Sequence, residues 1–497
     1  MRCYINKNKS ILYYRILNKI LKLKQTLKFN LFQLNNGVTI YKKGKSKFKF
    51  NKRFIKIGYY NKYTVSLLNY NLLNFNFYSG YFIAKDLSVY IILNNMCESK
   101  SDLLYIDDKF FIKNLYDYIS NYYGACLTVS YEGYSQVINA KESFVNGSSV
   151  SYFDTKGKSV ALMEYIERTC AKHKLEDCVF ETLDNLKKKY PNISFLDLSN
   201  YEILDNKIEN EIMWCKGKSL FSNKYKFMPM QLFQYLQIGK GRPLTEASSN
   251  GAAISTSFMG SLLYGLYEAI ERDILIRFWK GEIKEIKKLI IDNNKNFELK
   301  ELYLKDLGFE LTFYIIEKDG LNTIWCLIKN MNSNLPIYTA SGFGSGISIK
   351  DSIQSAFKEA FGIILQFKAN LKTWKEKFHK IEGSNKIYEA EDIIYYFASK
   401  KVKPIFDKID LMCSEILLSS YERNNKNFES IEEELEYFIN LLKDRYKDVV
   451  FIEQSTNDLL GFNLRCCKVI LEGGFEPTFV KKIDELEGPF GNVYPLA

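Results

Sequence analysis

Apolar positions change their spacing several times along the chain, and each change marks an element. From Tyr122 to Ser130, β-branched and apolar residues follow a glycine, which is a strand pattern. Ser159 to His173 predicts a helix and Ser261 to Trp279 a longer one. Both are apolar nearly all round, so both should be largely buried. Between them lie a lysine-rich helix and a turn at Pro191 and Asn192. Thr323 to Lys329 and Pro336 to Ala340 read as strands. Ser341 to Gly346 reads as a glycine-rich turn into a helix from Asp351 to about Ala369, with Asp351 suited to the first turn. Residues 381–426 read as loop and short helix. Ile431 to Tyr446 reads as an acidic helix, and Val449 to Ile452 and Cys467 to Leu471 as strands. Residues 1 to about 110 have only short apolar runs, such as Ser66–Leu68 and Tyr90–Leu93, and predict a small α+β unit. Strands alternating with helices place the chain in the α/β or α+β class.

Composition narrows this. The chain has 497 residues, 46% hydrophobic and 26% charged, which excludes a largely disordered or fibrous protein. Tyr and Phe are abundant at 36 each, but Lys, Asn and Ile are abundant too. Biased codon usage explains the aromatics without nucleic-acid stacking. The net charge of +11 is unevenly spread: residues 1–85 hold 18 Lys/Arg and no acid, leaving 51 basic and 58 acidic residues beyond. The body is therefore mildly acidic, and a uniform polyanion-binding surface is excluded. Ten scattered cysteines and only two histidines, His173 and His379, leave little for a Cys/His zinc site and suggest reduced thiols in the cytoplasm. No apolar run reaches the roughly 18 residues needed to span a bilayer.

Common nucleotide signatures fail. Gly157–Ser159 and Gly217–Ser219 end like a P-loop, but Tyr152 and Ile212 stand where its first glycine belongs. Gly342 and Gly344 are followed by Ile347 where a dinucleotide fingerprint needs glycine. The informative pattern is ExxER, which occurs twice: Glu164, Glu167, Arg168 and, offset by 104, Glu268, Glu271, Arg272. Residues i, i+3 and i+4 share one helix face. An isolated ExxER is most simply a solvated face with a local ion pair, but these two sit in apolar helices. Buried carboxylates cost several kcal/mol unless paired or metal-bound. Two such helices facing each other would gather four carboxylates and two guanidiniums in one cleft. Such a cluster suits Mg2+ held together with substrate phosphates, the arginines meeting phosphate oxygens.

Lys158–Arg168, then Ser249–Ala253, then Glu268–Asp273 together resemble the YcaO family. The branch they resemble most is the cyclodehydratase subunit of streptolysin-S-type thiazole/oxazole synthesis, which Cys467–Pro477 also fits. The resemblance covers roughly residues 115–497, with residues 1–114 as a basic N-terminal region. It implies an α+β fold of mixed sheets packed with helices, an ATP site between helices, and ATP and Mg2+ as cofactors. Glu164, Glu167, Glu268 and Glu271 would be metal ligands. Arg168, Asn250, Arg272 and, on a third helix, Glu359 would contact the nucleotide; for Glu359 a solvated surface role is an equal reading. The implied reaction is ATP-dependent cyclodehydration of Cys, Ser or Thr in a ribosomally made precursor peptide. The side chain attacks the preceding carbonyl, the amide oxygen is phosphorylated, and phosphate leaves to give an azoline.

The resemblance also implies partners: the precursor peptide, a leader-binding E1-like protein, a flavin dehydrogenase, and a second copy in a homodimer. Residues 1–85 could dock a partner or an acidic leader; nucleic-acid binding by this arm ranks last. Two departures stand against full activity. The family shows an Asn and then Glu-Glu-Ala before the second ExxER, where this chain has Thr256 and Met259, Gly260, Ser261. A degenerate, non-catalytic scaffold is therefore the rival reading, and thioamide formation a third. Pro489 and Pro495 in residues 481–497 look like a worn version of the family's proline-bearing tail, or like a frayed terminus.

Overall fold

The computed structural model describes residues 157–170, 178–201, 211–234 and most of 246–495, together with the backbone of nine strands between residues 30 and 150. The first six strands, β1–β6 (Asn30–Leu34, Gly37–Tyr41, Lys47–Phe50, Phe54–Tyr59, Tyr78–Ile83, Ser88–Leu93), form two three-stranded sheets, β1-β2-β3 and β4-β6-β5. The rest of the expected N-terminal α+β unit lies outside the described residues. β7 (Ala125–Val129), β8 (Tyr134–Asn139) and β9 (Asn146–Val150) make an antiparallel meander that leads to α1 (Gly157–Cys170). Helix and strand approach closely at Gly147, where a Cβ would lie 2.1 Å from the Ala161 carbonyl oxygen. Ala171 to His173, the expected end of this helix, fall outside the described residues.

β10 (Val179–Glu181), the lysine-rich α2 (Leu183–Lys189), β11 (Ser194–Phe195), β12 (Ile212–Ser219) and β13 (Tyr225–Pro229) come next. Gly217–Ser219 is thus strand, not a phosphate loop. β14 (Ala252–Ser255) turns into α3 (Phe258–Trp279), where Ser257 caps the helix by accepting the Gly260 N–H. β15 (Ile286–Ile290), α4 (Lys295–Asp306), β16 (Phe309–Lys318), β17 (Leu321–Asn330) and β18 (Thr339–Ser345) follow, then α5 (Ile349–Ala369), α6 (Leu371–Glu382), β19 (Lys386–Ile387), α7 (Ala390–Ala398), α8 (Lys403–Met412), β20 (Ser414–Leu417), α9 (Leu418–Glu422) and α10 (Ile431–Lys443). These strands give a five-stranded sheet, β18-β17-β16-β15-β20, parallel only between β15 and β20. β21 (Asp448–Glu453) and β22 (Arg465–Glu472) return to complete a seven-stranded sheet, β11-β13-β12-β21-β22-β14, with β10 on β12.

Helix α3 lies between the two large sheets, against β14 and β22 on one side and β16–β18 on the other. Among the described residues it is buried on nearly every face, as its apolar sequence demands. α5 covers the far side of β17 and β18. The described chain is thus a mixed α+β protein, and no described helix is long and apolar enough to cross a membrane. The seven described cysteines are free thiols.

Two expectations change. Ser341–Ser345 is not a turn but the body of β18, so the strand expected at Pro336–Ala340 runs later. Its glycines serve packing: a Cβ on Gly342 would lie 2.2 Å from the Ala356 carbonyl oxygen, and one on Gly344 2.2 Å from that of Ser352. Residues 381–426 are more helical than expected, because Ser399 caps a turn at Lys401 and Pro404 opens α8. The C-terminal segment is packed rather than frayed. Phe490 lies 5.1 Å from the Phe278 ring and 5.2 Å from that of Trp279, and Tyr494 shares a 2.8 Å hydrogen bond with Thr478.

Candidate active site

Three helices supply the charged side chains expected to matter. α1 carries Glu164, Glu167 and Arg168, α3 carries Glu268, Glu271 and Arg272, and α5 carries Glu359. On α1 the i,i+4 spacing closes a pair: Arg168 Nη2 lies 2.6 Å from Glu164 Oε1. Glu164 Oε2 also accepts the Ser148 N–H from β9 at 2.6 Å. On α3 both Glu271 and Arg272 are buried, and their 3.6 Å approach is loose. Arg272 lies over the Phe343 ring at 5.8 Å, and its Nη1 is buried without a hydrogen-bond partner. Glu359 accepts the Phe343 N–H at 2.8 Å, so β18 ties α5 to this corner.

The carboxylates act on one another across the helices. Burial, reinforced by Glu268 and Glu164, holds the Glu167 carboxyl well above the usual range, while Arg168 opposes. Burial pushes Glu268 up to about 7, with Glu359 adding to the shift and Arg272, Lys468 and Arg168 resisting it. Glu271 is raised by burial and by Glu359 and Glu268, against Arg272. Glu359 is raised by burial, against Arg272 and the Phe343 N–H. Burial disfavours the Arg272 cation, yet Glu271, Glu359 and Glu268 outweigh it and raise its pKa. The cleft is thus incomplete in two ways: its buried carboxyls are raised by burial and by one another, and a guanidinium N–H of Arg272 has no acceptor.

These residues fit a cation with phosphate. Among the described residues, no three His, Cys, Asp or Glu side chains are grouped closely enough to hold an ion by themselves. Mg2+ is normally held by one or two carboxylates plus phosphate oxygens and water, which such an open set allows.

Asn250 hydrogen-bonds outside the two ExxER motifs. Its Nδ2 donates to Glu476 Oε2 at 2.8 Å, and its Oδ1 is buried without a partner. Lys468, on β22, donates to the Ser248 carbonyl at 2.5 Å. Burial lowers the Lys468 pKa against the pull of Glu476, Glu268 and Glu167, so this ammonium lies between the Asn250 corner and the acidic cleft. Burial likewise raises Glu476, against Lys468 and the Asn250 hydrogen bond. Sequence reasoning noticed the Cys467–Pro477 stretch but gave Lys468 and Glu476 no role. The signal was a lysine inside a buried strand, with a glutamate just beyond the strand's end. Gly260, one of the two departures, is buried at the start of α3, where a Cβ would meet Ser255 Oγ at 2.6 Å.

Comparison with known proteins agrees with this picture. A family model described as YcaO cyclodehydratase, ATP- and Mg2+-binding, matches residues 154–473, more than half of the chain and both ExxER helices. A heterocyclase solved in complex with substrate and cofactor is similar at TM-score 0.54 and 15% identity, over 69% of this chain and 47% of that one. The chain therefore spans about half the length of that heterocyclase. The YcaO of Methanopyrus kandleri, bound with AMPPCP and Mg2+, is similar at TM-score 0.52 and 13% identity, over 73% of this chain and 91% of that one. At such identities the likeness is one of fold. No curated protein sequence matches. The family match over the two charged helices, on a mixed α+β fold of the same kind, establishes that the chain belongs to the YcaO family, whose members bind ATP and Mg2+.

Proposed function

We propose that this chain is an ATP-dependent peptide cyclodehydratase that forms azolines from Cys, Ser or Thr of a ribosomally made precursor. The observation that carries this reading is the meeting of Glu167, Glu268, Glu271 and Glu359 with Arg168 and Arg272, from three helices of a YcaO-family chain. Bound Mg2+–ATP would supply the phosphoryl group that makes the amide oxygen a leaving group, and the ion would offset the repulsion among the acids. One or two of Glu167, Glu268 and Glu271 would hold the ion, together with phosphate oxygens and water. Arg272, with a free N–H, and Arg168 would hold phosphate oxygens. Glu164, tied to Arg168 and Ser148, fixes the arginine rather than reaching the metal. The chain's own contribution is positioning and charge neutralisation. A leader-binding partner protein would bring the peptide, and a flavin dehydrogenase would oxidise the azolines.

The second reading, a non-catalytic scaffold, is favoured by Gly260 and Thr256. Where the family carries an acid, the start of α3 has no side chain and no room for one unless Ser255 moves. Calorimetry separates the two. Mg2+–ATP binding by the full chain that is lost in Glu268→Ala/Glu271→Ala, together with loss of one water per ring from a peptide when the partner is present, supports the enzyme. No binding with the partner present leaves the scaffold.

A further inference from the structure

The Asn250 corner carries an inference that rests on the nucleotide reading and goes beyond it. Asn250 and Glu476 are separated by 226 positions and meet at 2.8 Å. Three further elements hold the pair in place. Ser248 Oγ accepts the Asn250 N–H at 3.3 Å, and the Ser248 carbonyl takes Lys468 Nζ. The turn that carries Glu476 is fastened to the end of α3. Asp273 Oδ1 accepts the Phe475 N–H at 2.7 Å, and Arg277 Nη2 donates to the Gly473 carbonyl at 2.9 Å. Asp273 Oδ2 in turn accepts Tyr446 OH at 2.6 Å and Arg277 Nε at 2.8 Å. Glu476 is therefore presented to Asn250 by a rigid bracket.

The chemistry of the pair is one-directional. An ionised carboxylate only accepts, so the contact commits the Asn250 NH2 to Glu476 and leaves its carbonyl oxygen to accept from another group. That Oδ1 is buried and has no donor. Buried polar atoms without partners are rare, and one beside a ligand cleft is explained by a bound group that completes it. The corner sits beside the acidic cleft. A Cβ on Gly265 would lie 2.6 Å from the Gly251 carbonyl oxygen, which places the Asn250–Gly251 turn over α3 about one helical turn before Glu268.

We infer that Glu476 is a positioning residue for nucleotide recognition. It fixes the Asn250 amide so that Oδ1 accepts a hydrogen from the bound Mg2+–nucleotide. Phosphate oxygens carry no hydrogen and are excluded as the partner. The donors such a complex offers are a ribose hydroxyl, the adenine amino group and water on the metal.

Calorimetry on the full chain with Mg2+–ATP tests this through four variants, with thermal melts alongside. Glu476→Ala frees the amide to turn, and Asn250→Ala removes the acceptor; each should weaken binding about tenfold. Acting through the same oxygen, the double variant should bind within about twofold of Asn250→Ala. Glu476→Gln keeps an acceptor for Asn250 Nδ2 and should restore binding to within about threefold of wild type, which a merely structural charge would not do. Should Glu476→Ala fail to fold, Glu476→Gln and Asn250→Ala carry the test. The analogues 2′-deoxy-ATP, 3′-deoxy-ATP and purine riboside triphosphate identify the donor. The Asn250→Ala penalty vanishes with the analogue that lacks it and persists with all three if metal-bound water is the donor. An additive double variant, a Glu476→Gln as weak as Glu476→Ala, or no penalty in Asn250→Ala overturns the proposal alone. Absence of wild-type binding overturns the nucleotide reading and this proposal with it.

Discussion

The two ExxER helices carry one motif in two environments. On α1, Glu164 and Arg168 keep about a quarter and a fifth of their side-chain surface, 26% and 21%, and close the i,i+4 pair that the spacing allows. On α3 the equivalent pair would be Glu268 with Arg272. There Arg272 instead approaches Glu271 and lies over Phe343, with 9% of its side chain exposed. The spacing is the same, so the difference comes from burial and from α5, whose Glu359 adds a third carboxylate around Arg272. An ion pair that closes within its own helix leaves that helix self-sufficient. A guanidinium shared among carboxylates of two helices makes the cleft depend on every member.

The largest consequence is for stability. Arg272→Met leaves buried acids without their cation and should cost about 3–5 kcal/mol in urea unfolding. Arg168→Met breaks a part-exposed pair and should cost about 1 kcal/mol or less. Equal losses would mean that the two motifs are equivalent after all.

Next in size is the response to pH. The folded value for Glu268, about 7, lies above the 4.5 of an ordinary glutamate. Between these values the folded Glu268 holds more proton than the unfolded one, so its contribution to stability is greatest below about 4.5 and is lost as pH rises through about 7. Across that window the loss should not exceed about 3.4 kcal/mol, at about 1.36 kcal/mol per unit. Mg2+–nucleotide requires the ionised carboxylates, so its stabilising effect should grow over the same range. Melts with and without Mg2+–ATP at pH 6 and pH 8 check both signs; a ligand effect that shrinks with pH would refute the assignment of Glu268 to the metal.

How far the sequence anticipated this depends on the range of each interaction. The two helices and their charged faces were legible because i, i+3, i+4 spacing and apolar surroundings are local. The Ser341–Gly346 stretch misled for the opposite reason. A glycine-rich run reads locally as a turn, whereas here the missing side chains let α5 press onto β18, which only the packed fold reveals. The Asn250–Glu476 contact spans 226 positions and has no local signature, so Asn250 was singled out without the residue that orients it. Glu359 could be read as solvated or as functional, and the contact that ties it into the fold, the Phe343 N–H it accepts, again comes from another element.

A finer test lies at Glu359 itself. Glu359→Gln keeps an acceptor for the Phe343 N–H and removes one of the charges that raise Glu268 and Glu271. The apo protein should melt at the same temperature or slightly higher, while Mg2+–ATP binding weakens by about tenfold, or about 1.4 kcal/mol. Opposite signs in stability and binding are what a ligand site gives and a structural carboxylate does not.

The smallest effect should come from Glu164→Gln on α1. The glutamine oxygen still accepts the Ser148 N–H, so the tie between helix and β9 survives. What is lost is the charge facing Arg168 at a site with a quarter of its surface in solvent, worth about 0.5–1 kcal/mol. Removing a carboxylate that raises Glu167 and Glu359 offsets part of even that. The net change in unfolding free energy should therefore stay below about 1 kcal/mol. Nucleotide affinity should fall less than in Glu359→Gln, because Arg168 is loosened but still present. A binding loss as large as that of Glu268→Ala would place Glu164 on the metal, and the two ExxER helices would then contribute alike to binding while differing in stability.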